Sequence, residues 1–351
     1  MSVLTGFALA GGLAIFGHYL SHLIGVDMMG LPKSPISPVM MAILLGMLVR
    51  NTVGLPAACE SGVRFCLVRI LRLGIILLGI RLSLTQVGEI GLRSLPIIIG
   101  VVITALLTVT FVSRRAGLSA RLGTLIAVGT SICGTTAIVA TAPTIGAKDD
   151  EVAYAVTCIT LFGVMAMIVY PFAAHWLFDA DAFRSGLFLG TSVHETAQVV
   201  GSGLVYEEYF NNPAALDAAT VTKLVRNLCM VIVIPLMAIL YHRKSTEGTE
   251  PPPWWSMVPL FIIGFALMSL IRTVGDMGDR AFGIIQTGQW QGIVGSIKNV
   301  AEWCLAIAMA AVGLGTSVKG LLRIGLKPLG VGLFSSIFVG LVSFSLITLL
   351  Y

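Results

Sequence analysis

Read for hydropathy alone, the chain is a succession of apolar runs separated by short polar punctuation. Runs of about 20 apolar residues are long enough to cross a bilayer as helices. On that criterion the pattern predicts eleven spans: Leu4–Ile24, Ile36–Val49, Phe65–Leu84, Leu95–Val112, Leu122–Ile145, Val152–Leu177, Phe183–Tyr206, Ala214–Tyr241, Trp255–Val274, Val300–Val318 and Ile324–Leu350. The period-2 alternation of a membrane barrel is not visible. The expected fold is therefore an all-α polytopic membrane protein filling residues 1–351 as a single integral membrane domain.

Two of the spans are interrupted. Residues 122–145 contain Gly-Thr-Ser-Ile-Cys-Gly-Thr-Thr at Gly129–Thr136, and residues 183–206 contain Gly-Thr-Ser-Val-His-Glu-Thr at Gly190–Thr196. The two stretches align without gaps. Each is either a broken helix that crosses or a re-entrant hairpin that returns to its own side, since irregular backbone is tolerated at membrane depth where protein buries it. Further matches suggest inverted repeats over residues 36–113 and 255–350. Gly79–Leu84 resembles Gly313–Val318, Ile90–Leu95 resembles Ile324–Leu329, and Thr52-Val53-Gly54 resembles Thr273-Val274-Gly275. Inverted repeats around interrupted helices are a common build of secondary transporters.

Composition agrees with a membrane location. Of 351 residues, 56% are hydrophobic and 11% charged, against about 25% charged in soluble domains, and the mean hydropathy is +0.95. The net charge of +5 reflects loops rather than a nucleic-acid surface, because no basic run interleaves with aromatics. Counted over eleven crossings, Arg50, Arg64, Arg69, Arg72, Arg114, Arg115, Arg121, Arg184, Arg243, Lys244, Lys319, Arg323 and Lys327 fall on one side. That side is assigned to the cytoplasm by the positive-inside rule, with the N-terminus inside and the C-terminus outside. The Pro-rich stretch His242–Pro253 reads as a cytoplasmic linker. No Lys or Arg precedes the first apolar run, so it reads as a retained helix.

The chemistry concentrates at the two interruptions. A helix restarted after a break presents unpaired N–H groups and the positive end of its dipole, which favour anions. The candidate anion ligands are Gly129, Thr130, Ser131, Cys133, Gly134 and Thr135 from the first stretch, and Gly190, Thr191, Ser192 and Gln198 from the second. His194 and Glu195 are the candidate proton carriers, because ionisable residues within a span are costly and usually functional. Lys223 and Arg226 share a face of the eighth span with Asn227. They would either bias a cavity positive or pair with Glu195 or Glu302. The bland reading of the glycines and hydroxyls is small-residue helix packing. His-Glu-Thr-Ala-Gln departs from a zinc-peptidase HExxH motif at Gln198, and no Walker, GxGxxG or nucleophile-elbow motif occurs. The chain is thus expected to be no enzyme and to need no cofactor or metal. His18 and His22, one turn apart, lack a third ligand. Lys148–Glu151 reads as a turn opening the sixth span, and Gln286–Ser296 as an exposed connection.

At Ser131-Ile132-Cys133-Gly134, Val193–Val200, Leu71–Leu77 and Lys223-Leu224-Val225-Arg226, the sequence resembles the YeiH-like family of bacterial inner-membrane proteins, which is named for sulfate export. The resemblance covers nearly the whole chain. It implies kinship with the bile-acid and sodium/proton antiporter type of fold, with inverted repeats and unwound segments. The resulting expectation is a secondary active transporter of a small inorganic or organic anion, sulfate-like or a sulfonate, in the bacterial inner membrane. Coupling would be to a proton, or to sodium bound by carbonyls near Gly134 and Gly201, and the rival is a passive anion channel. Related folds are often dimeric, so a homodimer is an expected assembly.

Overall fold

The computed structural model describes residues 2–28, 37–242, 259–278, 280–317 and 326–351. Most of the linker at 242–253 lies outside these residues. So do Lys33, Asp279, Lys319 and Arg323, and the repeat positions Val318, Ile324 and Gly325. Apart from turns and short connections, the described chain is helical, with one two-residue antiparallel pairing of Arg280–Ala281 with Ile285–Gln286. The helices are α1 (Ser2–His22), α2 (Pro38–Thr52), α3 (Ala57–Phe65), α4 (Leu71–Leu78), α5 (Leu84–Arg115), α6 (Ala120–Ser131), α7 (Thr135–Thr141), α8 (Asp149–Leu177), α9 (Ala182–Ser192), α10 (Thr196–Phe210), α11 (Ala214–Leu228), α12 (Met230–His242), α13 (Leu260–Gly275), α14 (Thr287–Gly315) and α15 (Leu326–Leu350).

Among the described residues, six helices are long and apolar enough to cross a membrane: Val3–His22, Leu84–Arg115, Asp149–Leu177, Ala214–Tyr241, Thr287–Gly315 and Lys327–Leu350. Pro38–Thr52, Thr135–Ile145 and Leu260–Gly275 are shorter apolar helices. One expectation is corrected. The polar stretch Gln286–Ser296 is no loop but the cap and first turns of α14. Its Trp290 is buried, packs on Gly275 and donates its indole N–H to Asp276 at 2.8 Å, so a single aromatic anchor turns a Gly-rich stretch into helix.

The chain packs as two compact units. The first comprises residues 1–89, 204–211 and 259–317. Within it, α2 crosses α14 where Gly46 meets Gly313, so closely that a Cβ on Gly313 would lie 2.2 Å from the Ile43 carbonyl. Small residues let membrane helices approach in this way. The same unit holds the ion pair of Arg81 with Glu207, at 2.7 Å. The second unit comprises residues 90–203, 212–258 and 318–351 and contains both interruptions, at Gly129–Thr136 and Gly190–Thr196.

Candidate site at the tips of two re-entrant hairpins

Both interruptions are hairpins, which decides between the two readings open from sequence. In the first, α6 enters and α7 returns. The cap of α6, Ser119, donates its hydroxyl to Glu151 in the first turn of α8, so the chain at 119 and at 151 lies at one level. Farther along, Gly129 packs against both Ile138 of α7 and Ile159 of α8. α6 and α8 therefore run parallel, and α7 must run back between them. The second segment repeats the plan. Gly186 of α9 packs on Ala215 and Ala218 of α11, and Gly190 packs on Ala219 and Thr222. α9 and α11 are thus parallel, and the chain joining them returns, bringing Gly203 against Leu216.

The hairpins enter from opposite ends of α8. The base of the first lies at the start of α8. The second follows its end, where the Phe188 ring packs at a tilt against Tyr170 and Phe178. Their tips meet beside the middle of α8, with Gly134 against Ile159, Glu195 against Thr160, and Gln198 against Gly163. The entering arms have 12 and 11 residues. At 1.5 Å per residue they are about 18 and 16 Å long, which together match a hydrocarbon core of about 30 Å.

Two helix C-termini and two helix N-termini converge at the tips, and opposite charges serve each kind of end. α6 and α9 end in carbonyls that no turn of helix follows. Lys223 and Arg226, both fully buried, reach them from α11. Lys223 donates to the carbonyls of Ile132 at 2.8 Å and Val193 at 3.1 Å, and to that of His194. Arg226 donates to Ser131 at 2.8 Å and Thr130 at 2.5 Å in the first hairpin. In the second it donates to Thr191 at 2.6 Å, Val193 at 3.3 Å and Gly190 at 3.4 Å. Thr130 and Thr191 are equivalent positions of the aligned motifs, so one guanidinium binds the same place in both. Every hydrogen-bond partner the structure gives these two cations is a backbone carbonyl. These bonds neutralise two negative dipole ends.

The N-terminal ends are served by a carboxylate. Gly134 turns the chain into α7 with φ +66° and ψ −126°, a conformation that a Cβ would disfavour. Against it lies Glu195, whose carboxylate accepts from the hydroxyl of Thr135, the first residue of α7, and from Thr160 of α8 at 3.2 Å. Gln198, fully buried, accepts the Glu195 amide at 3.2 Å and donates to the Thr160 carbonyl at 3.1 Å. That is half of a capping box at the start of α10. Asn227 donates to the Thr196 hydroxyl at 3.1 Å.

The other sequence candidates are placed differently. The hydroxyls of Ser131, Thr191 and Ser192 donate to carbonyls one turn back, of Val128, Leu187 and Phe188. Such bonds satisfy a buried hydroxyl within its own helix. Thr191 also shares a bond with Ser343 at 2.5 Å. Gly129 and Gly190 face neighbouring helices, as the packing reading has it. The Cys133 thiol lies 3.2 Å from the Met230 sulfur. His194 is fully buried, and neither ring nitrogen has a hydrogen-bond partner among the described residues. The Thr130 hydroxyl is likewise unpartnered. Sequence reasoning missed Thr160, whose only signal is a hydroxyl within an apolar helix.

Residues 5–332 match the family model described as conserved hypothetical protein 698. The chain belongs to this family. Its relatives are named UPF0324 membrane proteins. One from Streptococcus pyogenes is 34% identical over 347 residues, covering 98% of this chain and 96% of its own. One from Fusobacterium nucleatum is 32% identical over 317 residues, covering 89% of each. One from Bacillus cereus is 31% identical over 337 residues, covering 95% of this chain and 88% of its own. These names give a membrane location, in line with the apolar helices of this UPF0324 member. No solved structure matches the chain.

Proposed function

We propose that this UPF0324 membrane protein is a secondary active transporter of a small oxyanion, sulfate or an organic sulfonate, coupled to protons through Glu195. The observation that carries the reading is the position of that carboxylate. It occupies the start of α7 between the hydroxyls of Thr135 and Thr160, where a transported oxyanion would find the same donors. A proton taken up by Glu195 removes its charge from the helix start. The hydroxyls and the first-turn amides then become available to an incoming anion, so proton and anion occupancy are linked. Lys223 and Arg226 support this by cancelling the opposing C-terminal dipoles, which leaves the positive ends to set the local field. The buried, unpartnered His194 ring is the second candidate carrier.

The same geometry favours protons over sodium. Of the carbonyls expected to ligate sodium, those beside Gly201 lie within helix α10, and at the first break the carbonyls of Thr130, Ser131 and Ile132 already accept from Arg226 and Lys223. With both interruptions as hairpins, nine of the eleven spans remain as crossings in this reading. The N-terminus stays cytoplasmic and the C-terminus outside, in a bacterial inner membrane. Alternating access follows from motion of one set of helices against the hairpins.

The test is counterflow of labelled sulfate and of a small sulfonate in proteoliposomes holding the purified full chain. The expectation is saturable uptake that accelerates as the pH falls, and that loses its pH dependence in Glu195→Gln while remaining saturable. A rate independent of pH in the unsubstituted protein overturns proton coupling, and uptake without counterflow indicates a channel.

A further inference from the structure

At the base of the first hairpin, α5, α6, α8 and α12 enclose a recess of about 790 Å³ within the second unit. Its outer wall is apolar and outward-facing, with Leu107, Phe111 and Leu240 exposed by 68, 56 and 46%. Its rim is basic, formed by Arg114 at the end of α5, Arg121 in the first turn of α6 and Lys148 at the cap of α8. Arg115 lies over the Phe111 ring, 5.1 Å from its centroid. The inner wall is polar, with Tyr241 donating to the Ala120 carbonyl at 2.6 Å and sharing a bond with Thr124 at 2.7 Å. The one carboxylate in the recess, Glu151, is already engaged by the Ser119 hydroxyl and, at 2.9 Å, by the Lys148 amide.

An exposed apolar wall alone is ordinary for a membrane helix. An apolar wall that ends at three cations lining one recess is complementary to a molecule that carries acyl chains below and a negative headgroup above. We propose that this recess binds an anionic glycerophospholipid, with its phosphate among Arg114, Arg121 and Lys148 and its acyl chains along Leu107, Phe111 and Leu240. The bound lipid ties the start of α8 to the start of α6, and so clamps the open end of the first hairpin. The inference does not depend on the transport reading.

The test uses the purified, delipidated full chain in a neutral detergent, read by native mass spectrometry and by thermal unfolding. The additions are phosphatidylglycerol, phosphatidylcholine with the same acyl chains, and inorganic phosphate. Phosphatidylglycerol is expected to be retained and to raise the unfolding temperature, while the other two leave it unchanged. Retention should weaken about fivefold for each cation removed, as for basic residues at anionic membrane surfaces. This is read in Lys148→Gln and in the triple variant R114Q/R121Q/K148Q. Leu240→Ala, which keeps every charge, should also weaken retention and serves as the check if the triple variant does not fold. Equal stabilisation by phosphatidylcholine or by phosphate alone overturns the proposal. So does undiminished retention in both Lys148→Gln and Leu240→Ala.

Discussion

The two hairpins share a frame and differ at the tip. Each has a Gly-Thr-Ser arm that enters parallel to the helix following the hairpin, and each ends in carbonyls held by Arg226. The first turns through Ile132, Cys133 and Gly134, which carry no charge, and its reversal rests on the positive φ of Gly134. The second turns through Val193, His194 and Glu195 without any positive φ, using the Gln198 side chain as its cap. The frame is thus duplicated, while the imidazole and the carboxylate are placed on one copy only. The uncharged tip supplies a helix start, and the charged tip supplies the group that sits on it.

Removing what the hairpins share should have the largest effect. Arg226→Ala strands the carbonyls of Thr130, Ser131 and Thr191 in a buried setting. It should destabilise the protein by about 1–3 kcal/mol for each carbonyl left unpaired, the scale for an unsatisfied buried acceptor. Thermal unfolding in detergent would show it as a collapse of the folded yield, with Arg226→Lys intermediate. If Arg226→Ala unfolds at the original temperature, the two arms are held by something else.

Removing what is special to each tip should matter less and should separate them. Gly134→Ala places a Cβ 2.5 Å from Cγ of Glu195 and forces a conformation that costs a non-glycine residue about 1–3 kcal/mol. Glu195→Ala at the matching position of the second hairpin introduces no such strain. The first variant should therefore lose the more stability, and the second should lose the pH response of uptake at the smaller cost of a lost cap, about 0.5–2 kcal/mol. Equal unfolding temperatures for the two would erase the distinction.

The smallest effects should come from the hydroxyls that bond back into their own helices. Ser131→Ala and Ser192→Ala should each shift stability by less than about 1 kcal/mol. They should also leave the apparent affinity for the anion in counterflow unchanged. A large loss of affinity in either would return these hydroxyls to the substrate.

Much of this was readable in the sequence. The apolar runs and the paired Gly-Thr-Ser interruptions follow from composition and alignment alone. The hairpin geometry did not, because it exchanges Lys148 for Arg184 between the two sides and leaves the charge balance that assigns topology unaltered. Lys223 and Arg226 were visible as intramembrane cations. Their partners were not, since any residue supplies a backbone carbonyl. Thr160 was silent because a threonine in an apolar helix can satisfy its hydroxyl on its own backbone, as Thr157 one turn earlier does, and the helical start of α14 was hidden by its glycines.

The reach of Arg226 also has a consequence for how the chain is made. Its bonds to Ser131 and Thr130 span 95 and 96 residues. At roughly 5–20 residues per second, the ribosome needs on the order of 5–20 s to deliver the arginine after the first hairpin has emerged. Throughout that interval the tip carbonyls lack their permanent donors. The first hairpin is therefore a nascent element that must wait, beside the translocation machinery or in contact with water, for a helix not yet synthesised.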